Sequence, residues 1–213
     1  MGKRSDFERV ERDYYQTPMA AVVPLIPFLP KGRFTFAEPC AGDGRLVKHL
    51  RELTEKRASC WYAADLQPDF EGMMQKDALE LSAEDVRNCD MIITNPPWER
   101  RPSKGQLLHR MIERFVGLGK PTWLLFDSDW MQTSQARPYL PNLLAVVSIG
   151  RVKWIEGSTM TGKDNCQWHL FHPNAQALSP APVFFGRGVQ PYPSFVEDYH
   201  DPHFNARSVI RAA

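Results

Sequence analysis

A doubly wound α/β fold, with a mostly parallel sheet and a C-terminal antiparallel hairpin, is what this chain's residue pattern predicts. Three observations carry that reading. Short apolar runs alternate with stretches of helical period, a Gly-x-Gly turn joins the first run to the first helical stretch, and two later runs are joined by a Gly/Thr/Lys/Asn loop.

The first run is Phe34-Thr35-Phe36-Ala37, followed by a helix starting near Arg45 that gathers Leu46, Val47, Leu50 and Leu53 on one face. The second is Trp61-Tyr62-Ala63-Ala64 and the third Met91-Ile92-Ile93-Thr94. A second helix collects Leu107, Leu108, Met111, Ile112 and Phe115, and Trp123-Leu124-Leu125-Phe126 is the fourth run. Each run ends in a polar or Gly/Pro-rich segment, as buried strands of a parallel sheet do. Arg151–Ile155 and Gln167–Phe171 read as the arms of the hairpin. Beyond Pro173 the chain is rich in proline and aromatics with little periodicity, so 174–213 is expected to be an irregular extension packed over a single domain spanning 1–213.

Composition narrows the function classes. With 43% hydrophobic and 24% charged residues, the 213-residue chain is composed like an ordinary globular protein. No stretch reaches the roughly 18 continuous apolar residues of a membrane span, and the charged N-terminus has no apolar segment of the secretory kind behind it. Cys40, Cys60, Cys89 and Cys166 stand far apart without a C-x-x-C pair, and the six histidines form no H-E-x-x-H pattern. A reducing cytoplasm is expected, and no metal. The net charge of +1 does not advertise a nucleic-acid binder, but Glu99–Lys120 holds six basic residues against two acidic ones.

The unusual residues cluster where the strands end, which is where doubly wound sheets bind ligands. Glu38-Pro39-Cys40-Ala41-Gly42-Asp43-Gly44 follows the first run. Without Cβ atoms, its glycines let backbone approach a ligand closely. Val47 stands where a dinucleotide fingerprint has its third glycine, which disfavours a pyrophosphate and suits a small zwitterionic cofactor bearing adenosine. Asp65 ends the second run, 21 residues after Gly44, where a carboxylate can accept from both ribose hydroxyls. Asn95-Pro96-Pro97-Trp98 ends the third. The prolines leave carbonyls aimed outward, Asn95 adds an amide oxygen, and together these acceptors can hold both hydrogens of an NH₂ group. Trp98 offers a flat surface for a heterocycle. Nothing there is a good general base, so the site offers positioning and stabilisation of positive charge.

These two motifs, in this order, resemble those of the class I S-adenosylmethionine-dependent methyltransferases, and among them the γ-type DNA N6-adenine enzymes. Glu38–Leu46 is similar to their first motif, Asn95–Trp98 to their catalytic (Asn/Asp)-Pro-Pro-(aromatic) motif, and Tyr15-Gln16-Thr17-Pro18 to the segment they fold over the cofactor's methionine part. The resemblance covers roughly residues 13–130 well. It implies a Rossmann-like, seven-stranded methyltransferase sheet over 31–173, with 1–30 covering the cofactor. Tyr15, Thr17, Pro18 and Glu38 to Gly44 would surround methionine, and Asp65 with Leu66 would take the ribose. Asp77 with Ala78 would meet the adenine, although Asp77 also reads as a helix N-cap.

The target amine would fall to Asn95 and Pro96, and the base to Trp98. Arg100, Arg101, Lys104, Asn165 and Trp168 are candidate substrate-binding residues; Trp154, Asn165 or Trp168 could form the opposite wall of the pocket or simply belong to core and loop. The larger enzymes carry a separate target-recognition domain that this chain lacks, so recognition is expected to be short or weak. In this it resembles compact methyltransferases of phages and prophages, where broad modification could protect DNA from restriction. DNA adenine is the expected substrate. RNA adenine, a protein glutamine or a small-molecule amine remain alternatives, as does a non-catalytic module.

Overall fold

All four apolar runs become strands, in a computed structural model that describes residues 15–70, 72–98, 107–155, 161–162 and 164–200. They are β1 (Phe34–Glu38), β2 (Ala58–Asp65), β4 (Met91–Thr94) and β5 (Thr122–Asp127), with a two-residue β3 (Met74–Gln75) beyond β2. Leu143–Gly150, Cys166–Phe171 and Val183–Phe185 form β6, β7 and β8. The strand order is β3-β2-β1-β4-β5-β7-β6-β8. β5/β7 and β6/β7 are antiparallel and every other pair is parallel. Strand order reverses between β1 and β4, which places the switch point at their carboxyl ends.

Helices cover both faces because the central strands are apolar on both. All four residues of β4 and all six of β7 are buried. On one face α2 (Arg45–Leu53) inserts Leu46 and Leu50 beside Phe36, Trp123 and Trp168. On the other, α3 (Leu107–Gly117) packs Met111, Ile112 and Phe115 against Leu124, Phe126 and Phe171. No helix among the described residues is long and apolar enough to cross a membrane.

The structure corrects three expectations. The first hairpin arm is β6, Leu143–Gly150, and not Arg151–Ile155. Gly150, at φ 84°, turns the chain out of the sheet, so the alternating residues after it find no strand to pair with. The sheet has eight strands in place of seven. The eighth comes from the segment expected to be irregular: β8 pairs parallel with β6, between α4 (Ala175–Leu178) and α5 (Phe195–His200). Aromatic burial rather than periodicity holds that segment, for Phe185 and Phe195 pack edge-on against Phe28, with centroids at 4.8 and 6.2 Å.

The N-terminal segment, α1 (Met19–Val22) and a 3₁₀ turn at Val23–Phe28, is fastened from within the core. Trp168 Nε1 donates to the Ala21 carbonyl at 2.8 Å. The Tyr199 hydroxyl of α5 donates to the Phe28 carbonyl and accepts from Trp123 Nε1 at 3.4 Å.

Candidate active site at the switch point

β1 ends at Glu38, and the six residues after it fold into a turn that only glycine at its key positions permits. Gly42 and Gly44 hold φ values of 53° and 78°. The Gly44 N–H donates to Ala41 O at 2.7 Å, and that of Ala41 to Ala64 O at 2.9 Å, which ties the turn to β2. Asp65 braces it further: Oδ2 accepts from Gly42 N at 2.9 Å and Oδ1 from Gln67 N at 2.8 Å. Asp43 accepts from Arg45 N at 3.1 Å and forms an ion pair with the Arg45 guanidinium at 2.9 Å, at the start of α2. Pro39 and Ala41 are buried, and Cys40 is half-buried. Leu66 is exposed beyond Asp65. Asp77 takes the N-cap role, accepting from Leu79 N at 2.9 Å ahead of the short turn Ala78–Glu80, and Ala78 is buried beneath it.

Glu38 and Thr94 join the glycine turn to the second motif. Thr94, the last residue of β4, donates its hydroxyl to Glu38 Oε1 at 2.6 Å. Glu38 is wholly buried, and its Oε2 has no hydrogen-bond partner. Burial raises its carboxyl well above the usual carboxylate range, and the nearby Asp65 adds to the effect. Burial likewise raises the Cys40 thiol, which is therefore no thiolate nucleophile. Thr94 escaped the sequence reading, although a hydroxyl inside a fully buried apolar strand is itself a signal of a required partner.

Asn95, one residue past β4, is held at both ends of its amide. Nδ2 donates to Tyr15 O at 3.3 Å and to Thr17 Oγ1 at 3.2 Å. Oδ1 accepts from Trp98 Nε1 at 3.2 Å, and the same indole N–H reaches Leu125 O at 2.9 Å. A carbonyl oxygen has two lone pairs, so Oδ1 retains capacity for a second donor. Pro96 is buried, Pro97 and Trp98 half-buried. Pro18 precedes α1, and Thr17 is buried against the motif it binds.

Trp154 packs edge-to-face on Trp98, with centroids 5.2 Å apart at 87°, and lies 6.4 Å from the Tyr15 ring. Gly162 completes this wall: a Cβ there would stand 3.1 Å from Trp154 Cδ1 and from the Val152 carbonyl.

The structure separates the remaining candidates. Trp168 is not a pocket wall. It is wholly buried in β7 and its N–H is spent on Ala21, because an indole inside a central strand must find a backbone acceptor. Asn165 is exposed, and its carbonyl accepts from Ser128 N at 3.0 Å. Arg100, Arg101 and Lys104 lie outside the described residues.

No protein-family model and no curated protein matches this chain. Solved structures do. A protein of Listeria monocytogenes, described as a class I S-adenosylmethionine-dependent methyltransferase, superposes with a TM-score of 0.57 at 11% identity, covering 94% of this chain and 74% of that one. A protein of Pyrococcus horikoshii described as an RNA methyltransferase gives 0.50 at 14%, covering 80% and 92%. The M protein of the type I restriction enzyme EcoKI gives 0.52 at 11%, covering 87% of this chain and 53% of its own, so this chain spans about half its length. At these identities the likeness is one of architecture. With the β3-β2-β1-β4-β5-β7-β6 order and the glycine turn after β1, the chain has the fold of the class I S-adenosylmethionine-dependent methyltransferases.

Proposed function

We propose that the protein transfers a methyl group from S-adenosylmethionine to the exocyclic N6 amine of adenine in DNA, within the cytoplasm and with short or low sequence specificity. One observation carries the reading: an amine acceptor, Asn95, stands at the switch point, joined through Thr94 and Glu38 to a glycine turn suited to a small cofactor.

The residues fit the cofactor. Its ammonium group would satisfy the partnerless Glu38 Oε2, a buried acceptor that otherwise has no counter-charge. Gly42, Asp43, Gly44, Thr17 and Pro18 would hold the methionine part, Asp65 and Leu66 the ribose, and Asp77 and Ala78 the adenine. When bound, the cofactor supplies an electrophilic methyl on a sulfonium. Asn95 Oδ1 and the Pro96 carbonyl accept the two amine hydrogens, which raises electron density on the nitrogen and fixes its direction. Those same acceptors would stabilise the positive charge that develops on the nitrogen during transfer, and the surplus proton would pass from it to water. Trp98 and Trp154 border the base, which duplex DNA must flip outward at a cost of a few kcal/mol.

The test is to incubate the protein with methyl-labelled S-adenosylmethionine and unmethylated DNA or RNA, then identify modified nucleosides by mass spectrometry. N6-methyldeoxyadenosine from the wild type, absent with Asn95→Ala, is the expected result. Absence of label from both polymers would overturn it. A second reading, RNA adenine, is favoured by the matching compactness of the Pyrococcus horikoshii protein, 92% of which this chain covers; label confined to RNA would select it.

A further inference from the structure

β7 runs antiparallel to both β5 and β6, so β6 runs with β5, and β8 runs with β6. β4 and β5 are parallel as well. The ends of β6 and β8, Gly150 and Phe185, therefore lie on the edge of the sheet at which Thr94 leads into Asn95. Two basic segments leave the sheet there. After Gly150, exposure alternates in the manner of extended chain: Arg151, Lys153 and Ile155 are exposed, whereas Val152 is buried and Trp154 half-buried. Trp154 packs on Trp98, whose N–H is bound to β5 at Leu125, so the segment crosses back from β6 toward Asn95 with its cations outward. After Phe185 comes Arg187, also exposed. A Cβ at Gly150 would stand 3.4 Å from Arg187 Nη1 and 3.9 Å from its Cζ, so that guanidinium lies over the turn from which the first segment starts.

Among the described residues, Arg151, Lys153 and Arg187 form no ion pair. Exposed cations without counter-charges, on the edge that holds the amine acceptor, attract anions. A small anion needs donors that converge on one point. Outward positions on an extended chain instead recur about every 7 Å, which suits a polyanion lying along it. The carboxylates of this edge stand elsewhere. Asp65 and Asp77 follow β2 and β3, and Asp127, Asp129 and Asp164 stand at or beside the ends of β5 and β7. They leave the β6–β8 end as the stretch open to phosphates.

We propose that Arg151, Lys153 and Arg187 form a track for the phosphates of a nucleic-acid strand, holding it beside the nucleotide presented to Asn95. This rests on the nucleic-acid substrate proposed above. Phosphate contacts position a strand and carry no base information, which accords with short or low sequence specificity.

Fluorescence anisotropy of labelled oligonucleotides on the full chain, over a salt series and without cofactor, tests it. Arg151→Gln, Lys153→Gln and Arg187→Gln should each weaken binding. Each should also reduce the slope of log affinity against log salt, by about 0.9 for duplex DNA or about 0.7 for single-stranded DNA or RNA. The triple variant should bind at least about tenfold more weakly at about 0.1 M salt. Lys31 and Arg33 are exposed ahead of β1, on the opposite edge, and Lys31→Gln/Arg33→Gln should leave the slope unchanged. A triple variant with the wild-type slope and affinity, or a loss matched by Lys31→Gln/Arg33→Gln, would overturn the proposal. Methyl transfer to the same oligonucleotides separates it from the reading on which it rests. Label in DNA or RNA, with the slope retained by the triple variant, removes the track and keeps the reaction. Binding that depends on the three cations, without label, keeps the track and removes the reaction. A wild type that neither binds nor labels either polymer removes both.

Discussion

Thr17 Oγ1 accepts a hydrogen bond from Asn95 Nδ2 at 3.2 Å across 78 positions of sequence. With the Tyr15 carbonyl as second acceptor, the amide nitrogen is fixed on the strap side and the oxygen on the Trp98 side. Thr17→Val keeps the shape and removes the acceptor. Turnover should fall about fivefold, the effect of one lost hydrogen bond of about 1 kcal/mol on a reacting group, while Thr17→Ser stays within about twofold. Cofactor affinity measured beside turnover separates the roles: weaker binding at unchanged kcat would make Thr17 a cofactor contact alone.

Replacing Asn95 by alanine removes the acceptor itself. Methyl transfer should drop by about 10²–10³-fold, as when one preorganised polar group is lost from a charge-stabilising site. Calorimetry should find cofactor binding within a few-fold of wild type, since Asn95 touches the strap and Trp98 rather than the glycine turn. A variant that still methylates at the wild-type rate would remove Asn95 from the chemistry.

Glu38 links stability to pH in an unusual direction. Its folded pKa is raised above the ordinary value of 4.5 by burial. The stability it contributes is therefore present below pH 4.5 and lost as pH rises toward the folded value. Glu38→Gln should stabilise the cofactor-free protein at neutral pH by about 1–2 kcal/mol, a rise of about 2–8 °C in Tm for a chain of this length. The same variant should bind S-adenosylmethionine at least about tenfold more weakly. An unchanged Tm together with unchanged affinity would mean that Glu38 is already compensated.

Two buried histidines act oppositely, on the acid side. Burial lowers His169 to about 3 and His172 to about 4, from 6.5. Their contribution is complete above pH 6.5 and falls as pH drops toward those values, each by about 1.4 kcal/mol per pH unit. His169 also stacks on Phe126 with centroids at 3.6 Å. Urea midpoints at pH 7 and pH 5 should differ, and His169→Phe should shrink that difference by up to about 2 kcal/mol. Equal sensitivity in the variant would place the acid transition elsewhere.

The parts of the molecule legible in the sequence are those encoded locally. Leu46 and Leu50 announce α2 by spacing, and Asn95–Trp98 is four consecutive residues whose chemistry does not depend on distant partners. Arg151–Ile155 misled because alternation is only a strand's potential: Gly150 at φ 84° had already turned the backbone away, and the continuous run Leu143–Ile149, buried on both faces, carried no period to detect. Trp168 reads from sequence as an available aromatic. Only the approach of Ala21, 147 residues away, assigns its N–H to the core. Phe195 and Tyr199 are similar, being held by aromatic contacts that no periodicity records.

Those distant clasps bear on how the protein is made. Tyr199 and Trp168 grip Phe28 and Ala21, on the segment that carries Thr17 to Asn95. A ribosome delivers that segment well before its fasteners. A nascent chain halted before residue 199 could assemble the central strands and still lack an aligned Asn95. Competence would then wait on the emergence of Tyr199, so that the aligned site forms only after the strands that carry it.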